Sequence, residues 1–292
     1  MPNHHPLPGD DVVVDGVRLH VVRYGPSTAG RPPLLLLHGL GTSSYLWRDV
    51  MRAVGHDTST IAPDLIGLGR SEFDANRVDL PNQALAVVRL LDEWDIGRVV
   101  VAGHDLGGSV ALHLATLAPD RVAGLALVDA PVHADVWPVP AVLPLLAPGL
   151  GRAYVSSLRR LPALAARVLR QALGGQLPDE DVAGYLAPLL TREGAAGLLA
   201  VTRSVDLTGV EAAWDLVRVS PPPALVLWGT HDAVLSLAYG RRVAGDLPAS
   251  AAWVPIAGAG HVLPAERPER VAEELDAFVT DVAAAAHTTG IS

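Results

Sequence analysis

The chain has 292 residues, half of them apolar, and carries a net charge of -9 without any cysteine. That length suits one large domain, alone or with a smaller lid. The absence of cysteine excludes disulfide frameworks, thiolate nucleophiles and cysteine-bound metals, and the negative charge argues against nucleic acid as a partner.

Short apolar runs alternate with helix-length segments along most of the chain. This pattern predicts an α/β fold, with a mostly parallel sheet covered by helices on both faces. Asp15-Gly16 predicts a hairpin between the first two strands, and the continuous apolar run at 34–38 is typical of a strand buried on both faces. The eight predicted strands lie at 12–14, 19–22, 34–38, 60–63, 99–103, 125–129, 224–229 and 252–255. The predicted helices between them lie at 46–53, 83–94, 109–118, 237–244 and 268–284.

The stretch 131–219 does not alternate in this way. It is helical in period and rich in leucine, alanine and arginine, and it is too long for a single crossover. We therefore predict a helical lid inserted after strand 6, above the carboxyl edge of the sheet where ligands bind in open α/β sheets. The predicted core is then 1–130 with 220–292, and the predicted cap is 131–219. A run of ordinary covering helices is the alternative.

The segment 101–108, between a predicted strand and a predicted helix, reads VAGHDLGG. It has the spacing of the G-x-S-x-G turn, whose glycines make room for a strained backbone that lifts the central side chain above the sheet. Gly103 and Gly107 hold the glycine positions, and Asp105 stands where that turn has its nucleophilic serine. An ordinary helix start, with Asp105 near the N-cap, is the alternative interpretation.

Three other segments fit this turn. The sequence LHGLG after the third strand can direct the backbone N–H of Leu40 at an oxyanion. Asp232 follows a predicted strand, and His261 lies in a glycine-rich loop before the last helix. The chain order Asp105, Asp232, His261 is nucleophile, acid and histidine, and we predict those three roles.

Together these motifs resemble the α/β-hydrolase superfamily, as does the segment APDLIGLGRS at 62–71. An aspartate at the nucleophile position resembles the branch that holds the haloalkane dehalogenases and epoxide hydrolases, and TSSYLWR at 42–48 is similar to dehalogenases. The resemblance covers 34–128 and 224–278 and hardly reaches the lid. Some relatives take their acid from the strand end where this chain has Asp129, so Asp129 is the alternative to Asp232.

The resemblance implies a reaction in two halves. An ionised carboxylate is a nucleophile at neutral pH, so Asp105 would attack an sp³ carbon and form an alkyl ester. Water activated by His261 would then hydrolyse that ester, with Asp232 stabilising the imidazolium. The N–H groups of Leu40 and Leu106 would stabilise the oxyanion.

The leaving group decides between the two leading reactions. Dehalogenases typically hold the halide with a tryptophan after the nucleophile and an asparagine after His-Gly, where this chain has leucines; Trp137 or Trp214 could supply a donor from the lid. Epoxide hydrolases protonate the alkoxide with lid tyrosines, and the lid has Tyr154 and Tyr185. All four aromatic residues have a packing role as their alternative.

We therefore expect an epoxide hydrolase-like enzyme that acts on a small to medium apolar substrate. The alternatives are a haloalkane dehalogenase-like hydrolase, an ester or lactone hydrolase, a non-hydrolytic biosynthetic enzyme and a ligand-binding member of the fold. We expect no cofactor and no metal, because the loop at 39–44 lacks the third glycine of a dinucleotide motif and no H-E-x-x-H is present. We also expect a cytoplasmic protein with no membrane partner, since no apolar run is long enough to cross a bilayer and no secretory signal opens the chain. The absence of lysine, with the richness in alanine, glycine, proline and valine, indicates the GC-rich genome of a bacterium. The sequence is also compatible with a homodimer.

Overall fold

The structure, a computed structural model, describes residues 6–54, 57–136, 140–147, 149–174 and 177–289. Its eight strands form one sheet in the order β1-β2-β4-β3-β5-β6-β7-β8. β1 pairs antiparallel with β2, and β2 pairs antiparallel with β4, whereas all other neighbours are parallel. The predicted α/β-hydrolase fold is confirmed. The strands are β1 (Gly9–Val14), β2 (Val17–Tyr24), β3 (Leu34–Leu37), β4 (Thr60–Pro63), β5 (Val99–His104), β6 (Val122–Val128), β7 (Ala224–Gly229) and β8 (Ala252–Ile256).

The hairpin between β1 and β2 turns at Asp15 and Gly16, with φ of 49° and 81°. Two successive positive φ angles belong to the primed turn that suits the twist of the flanking strands, as the Asp-Gly signal predicted. In the centre of the sheet, successive leucines of β3 enter different apolar clusters: Leu35 packs in one and Leu36 in the other. A strand whose side chains alternate between two buried faces explains the uninterrupted apolar run.

Helices cover both faces of this sheet. α1 and α12 pack together with one apolar cluster, and α2, α3, α9 and α10 contribute to the other. The described residues contain no helix that is both long and apolar enough to cross a membrane. The helices are α1 (Arg48–Val54), α2 (Leu80–Glu93), α3 (Leu106–Leu117), α4 (Leu143–Leu146), α5 (Leu150–Arg160), α6 (Pro162–Ala172), α7 (Asp179–Leu189), α8 (Arg192–Ser204), α9 (Leu207–Val219), α10 (Leu237–Gly245), α11 (Leu263–Glu266) and α12 (Pro268–Thr289).

The segment between β6 and β7 is helical, as predicted, and holds α4 to α9. α9 packs closely against α3 of the core, and its residues Val210, Trp214 and Val217 share an apolar cluster with that helix. The predicted lid of 131–219 therefore ends in a helix that packs against α3. We propose that the lid proper ends before Asp206, the N-cap of α9.

Candidate active site

Asp105 lies between β5 and α3 at the carboxyl edge of the sheet, with φ 49° and ψ -129°. A non-glycine residue with such angles is strained and persists only where its surroundings impose the conformation. The neighbouring glycines permit it: a Cβ on Gly103 would lie 2.3 Å from the carbonyl oxygen of Gly107, and one on Gly107 would lie 2.3 Å from that of Leu37. Asp105 makes no side-chain cap hydrogen bond, so the alternative of an ordinary N-cap does not describe this turn.

Backbone N–H groups hold the carboxylate of Asp105. Its Oδ2 accepts a hydrogen bond from the N–H of Leu40 at 2.8 Å, and the N–H of Leu106 also stabilises the carboxylate and lowers its pKa. This approach needs a glycine at position 39, because a Cβ on Gly39 would lie 2.4 Å from the Cβ of Asp105. Burial raises the pKa of Asp105, while His261 and the two N–H groups act against that rise. One carboxylate oxygen thus occupies the predicted oxyanion hole.

His261 connects Asp105 to Asp232. Its Nδ1–H donates to Oδ2 of Asp232 at 2.9 Å, and its Nε2 lies 4.0 Å from Oδ1 of Asp105. The other oxygen of Asp232 accepts hydrogen bonds from the N–H groups of Val234 at 2.7 Å and Leu235 at 2.8 Å. These bonds fix the carboxylate, which in turn fixes the orientation of the imidazole. The three residues predicted as nucleophile, acid and histidine are brought together.

The charge of His261 depends on the carboxylates around it. Burial alone would lower its pKa, but Asp232, Asp105 and Asp129 outweigh that effect and raise the pKa to about 9. At neutral pH the resting site therefore holds an imidazolium between Asp105 and Asp232. A change that removes the charge of Asp105 makes His261 easier to deprotonate.

Asp129 and His104 are buried beside this group. Oδ1 of Asp129 accepts a hydrogen bond from the N–H of Gly229 at 2.8 Å, and its Oδ2 has no hydrogen-bond partner among the described residues. Burial and the charge of Asp232 raise the pKa of Asp129 well above its usual range. His104 Nε2–H donates to the backbone oxygen of His261 at 2.7 Å, and burial lowers the pKa of His104 to about 3. Neutral His104 therefore supports the loop of His261, and Asp232 rather than Asp129 contacts the imidazole.

A cavity of about 130 Å³ lies over Asp105 and His261. Among the described residues that line it, the only polar side chains besides these two are Tyr154 and Arg159, both on α5. Leu40 and Leu106 also line the cavity, so the positions beside the nucleophile are apolar. The other lining residues are Gly41, Val142, Leu145, Val155, Leu158, Ala165, Val168, Leu169, Ala172, Leu173, Leu186, Leu189, Leu190, Leu198 and Val234.

The structure places the aromatic residues of the predicted lid in different environments. Tyr154 lines the cavity, but Tyr185 does not: its ring is fully buried on α7 and packs edge-on against Tyr45, with the ring centroids 5.4 Å apart. Tyr185 as an acid above Asp105 was therefore a wrong prediction. Trp214 lies in the core, where its Nε1–H donates to Asp246 at 3.2 Å. Trp137 lies outside the described residues.

Arg159 is the lining residue that sequence reasoning missed. The positions 154, 155, 158 and 159 all line the cavity, which is the spacing of one helix face. Because Tyr154 was already a candidate, the helical spacing of this face could have identified Arg159 from the sequence. The described residues include no group of three or more His, Asp or Glu side chains that could hold a metal ion.

Comparison with known proteins identifies relatives of this chain. The haloalkane dehalogenase of Agrobacterium fabrum is 29% identical over 94% of this chain and 92% of its own length. The crystal structure of haloalkane dehalogenase DbeA from Bradyrhizobium elkani has a TM-score of 0.83 at 28% identity, covering 96% of this chain and 100% of that one. The crystal structure of haloalkane dehalogenase DatA from Agrobacterium tumefaciens has a TM-score of 0.80 at 26% identity. It covers 94% of this chain and 97% of its own.

A family model described as "Alpha/beta hydrolase family" matches residues 34–274, from β3 into α12. This match covers most of the chain and includes Asp105, Asp232 and His261. The chain therefore belongs to the alpha/beta hydrolase family and is an enzyme that is similar to haloalkane dehalogenases.

Proposed function

We propose that this protein is a hydrolase that opens epoxides through an alkyl ester on Asp105. The observation that carries the proposal is how the two oxygens of Asp105 differ. Oδ2 is bound by the N–H of Leu40, whereas Oδ1 faces Nε2 of His261 at 4.0 Å, and Asp105 lines an apolar cavity. A carboxylate with one anchored oxygen and one free oxygen suits attack on a carbon atom.

In the first half of the reaction, Oδ1 of Asp105 forms a bond to an epoxide carbon while the bond from that carbon to the ring oxygen breaks. The ring oxygen takes the bonding electrons and needs a proton. Tyr154 supplies it as general acid, because it lines the cavity and burial raises the pKa of its phenol, which stays protonated.

In the second half, His261 removes a proton from water, which attacks Cγ of the Asp105 ester. Esterification has removed the charge of Asp105, which lowers the pKa of His261, so its imidazolium gives up a proton that restores the phenol of Tyr154, and neutral His261 can act as base. After the attack, the negative charge moves to the oxygen held by Leu40 and Leu106. As the intermediate collapses, the His261 imidazolium protonates the departing alkoxide to release a diol, and the acid proton left on Asp105 returns to His261, which restores the carboxylate. Asp232 stabilises the imidazolium.

Dehalogenation is the second candidate, and the similarity to haloalkane dehalogenases favours it. Against it, no tryptophan, asparagine or glutamine lines the cavity within the described ranges. Besides His261, a departing halide would have only the side chains of Tyr154 and Arg159 as donors there. Ester or lactone hydrolysis ranks third, because attack by Asp105 on an acyl carbonyl would give a mixed anhydride. A non-hydrolytic enzyme or a ligand-binding protein remains the alternative without hydrolysis.

The experiment uses His261→Gln, which should form the ester without hydrolysing it. The variant is incubated with 1,2-epoxyhexane or 1-bromohexane, and the intact protein is weighed by mass spectrometry. Opening of the epoxide increases the mass of the protein by the mass of the whole epoxide. Displacement of bromide increases it by the mass of the hexyl group less one hydrogen. We expect the epoxide adduct, located at Asp105 by peptide mapping and absent from a His261→Gln, Asp105→Ala double variant. An adduct from the bromide alone favours the second candidate, and no adduct from either contradicts the alkyl-enzyme mechanism.

A further inference from the structure

Arg159 gives the cavity above Asp105 a second polar feature, separate from the catalytic group. Tyr154 and Arg159 both lie on α5, and five residues of helix separate their Cα atoms by about 7.5 Å along the axis. Arg159 lies near the end of α5, next to Leu190 at the end of α7, which also lines the cavity. A ligand that fills this cavity therefore meets a guanidinium as well as the phenol.

The guanidinium of Arg159 is anchored but not neutralised. Its Nε–H donates to the carbonyl oxygen of Leu190 at 2.9 Å. No carboxylate of the described residues lies within ion-pair distance of it, in contrast to Arg170, which pairs with Asp179 at 2.5 Å. The bond at Nε fixes the plane of the guanidinium and leaves the two terminal amino groups to other partners.

Arg159 is half-buried, and the part of it that lines the apolar cavity wall has few polar partners there. A guanidinium there gains most from an anion with two coplanar oxygens, because its terminal N–H groups form a planar fork that matches a carboxylate. The neighbouring lining residues, Val155 and Leu158 on the same helix, offer only apolar contacts. The ligand chemistry that satisfies both features is a hydrocarbon body with a carboxylate at one end.

We infer that the substrate is such a molecule, an alkyl compound whose terminal carboxylate binds Arg159 while its reactive carbon lies over Asp105. The placement of the reactive carbon over Asp105 rests on the proposed function. Binding of the carboxylate at Arg159 does not, since it requires no turnover. Arg159 is then a residue that determines specificity. The carboxylate is held away from Asp105, whose negative charge would repel it.

The test measures binding rather than turnover. Straight-chain carboxylic acids of four to eight carbons, and the primary amides of the same lengths, are titrated against the wild-type protein and followed by NMR chemical shifts. At the length that fits best, we expect the carboxylate to bind about tenfold more tightly than its amide. Arg159→Gln should remove that preference. Arg160→Gln, which alters an exposed neighbour on the same helix that does not line the cavity, should keep it.

The inference is overturned if the wild type binds the amide as well as the carboxylate, a result that needs no variant to fold. It is also overturned if the preference survives in Arg159→Gln or is lost equally in Arg160→Gln. Trapping of an epoxide on His261→Gln reports separately on the proposed function. A trapped adduct without carboxylate preference rejects only the role of Arg159, and carboxylate preference without any adduct rejects only the alkyl-enzyme reaction.

Discussion

At the scale of single residues, Asp105 affects the charge of His261 in addition to its proposed role in the chemistry. Its strained backbone presents one oxygen to Leu40 and the other to His261. Three carboxylates raise the pKa of His261 to about 9, and one of them is the group that becomes neutral in the proposed reaction. In that reaction the same residue would be both the nucleophile and the switch that converts His261 from an acid into a base.

This coupling predicts a measurable change in the pKa of His261. Asp105→Asn replaces the carboxylate by a neutral group, as esterification does, and should lower the pKa of His261 below about 9. Hydrolysis of the ester needs neutral His261, so its rate should rise with pH until that lower pKa is passed. Histidine NMR titrations of both proteins, with His261 assigned by its loss in His261→Gln, measure the shift. His133, which pairs with Asp246 elsewhere, is the internal control, and an unchanged pKa of His261 contradicts the coupling.

The apolar side chain of Leu106 gives a prediction about halide release, because it offers no hydrogen-bond donor to a departing halide. Leu106→Trp places an N–H beside the nucleophile, and a hydrogen bond to a departing anion contributes about 1.5–3 kcal/mol, equivalent to a gain of about tenfold or more. Leu106 is buried, so the larger ring also costs stability by overpacking. Leu106→Phe is the matched control, with similar bulk and no donor. Release of bromide from 1-bromohexane should be faster in the tryptophan variant than in the phenylalanine variant, and equal rates would show that the donor is not limiting.

At the scale of elements, helix α8 of the proposed lid lies against the 64–71 loop through a contact that only glycine permits. A Cβ on Gly197 of α8 would lie 1.9 Å from the carbonyl oxygen of Gly67, which itself has φ +79°. α8 can therefore lie on the 64–71 loop at backbone distance. The position of this helix bears on the cavity, because Leu198, the next residue, lines it.

Gly197→Ala should separate α8 from that loop. Alanine is favoured in helices by about 1 kcal/mol over glycine, but the clash should outweigh this gain and give a net loss of about 1–2 kcal/mol. Gly245→Ala, also at a helical glycine, meets nothing within 4 Å and should be neutral or stabilising. Urea denaturation measures the free energy of unfolding of both variants. Equal values would show that the contact between Gly197 and Gly67 does not require glycine.

At the scale of the whole molecule, the sequence carried more information about the core than about the lid. All eight strands were predictable, because buried parallel strands leave continuous apolar runs and Asp-Gly marks the hairpin. Two details were missed, the first although a local signal marks it and the second because no local pattern does. α2 begins at Leu80 because Asp79 caps it by accepting from the N–H of Asn82, a local signal that apolar period alone does not reveal. Tyr185 is buried through contacts with distant parts of the chain, which no local pattern encodes.

One such distant contact links the lid to the core and gives a prediction for the whole fold. Arg48 of α1 donates to Asp181 of α7 at 2.5 Å, and both side chains are buried. Removing one partner of a buried pair typically costs about 3–5 kcal/mol, whereas replacing both by apolar residues costs far less. Asp49 also pairs with Arg48, at 3.2 Å, so Asp181→Asn should lose about 3 kcal/mol, at the lower end of that range. Urea unfolding of Asp181→Asn and of the double variant Arg48→Met, Asp181→Leu measures both effects. The double variant should be the more stable, and a reversed order would mean that the charges themselves hold the lid.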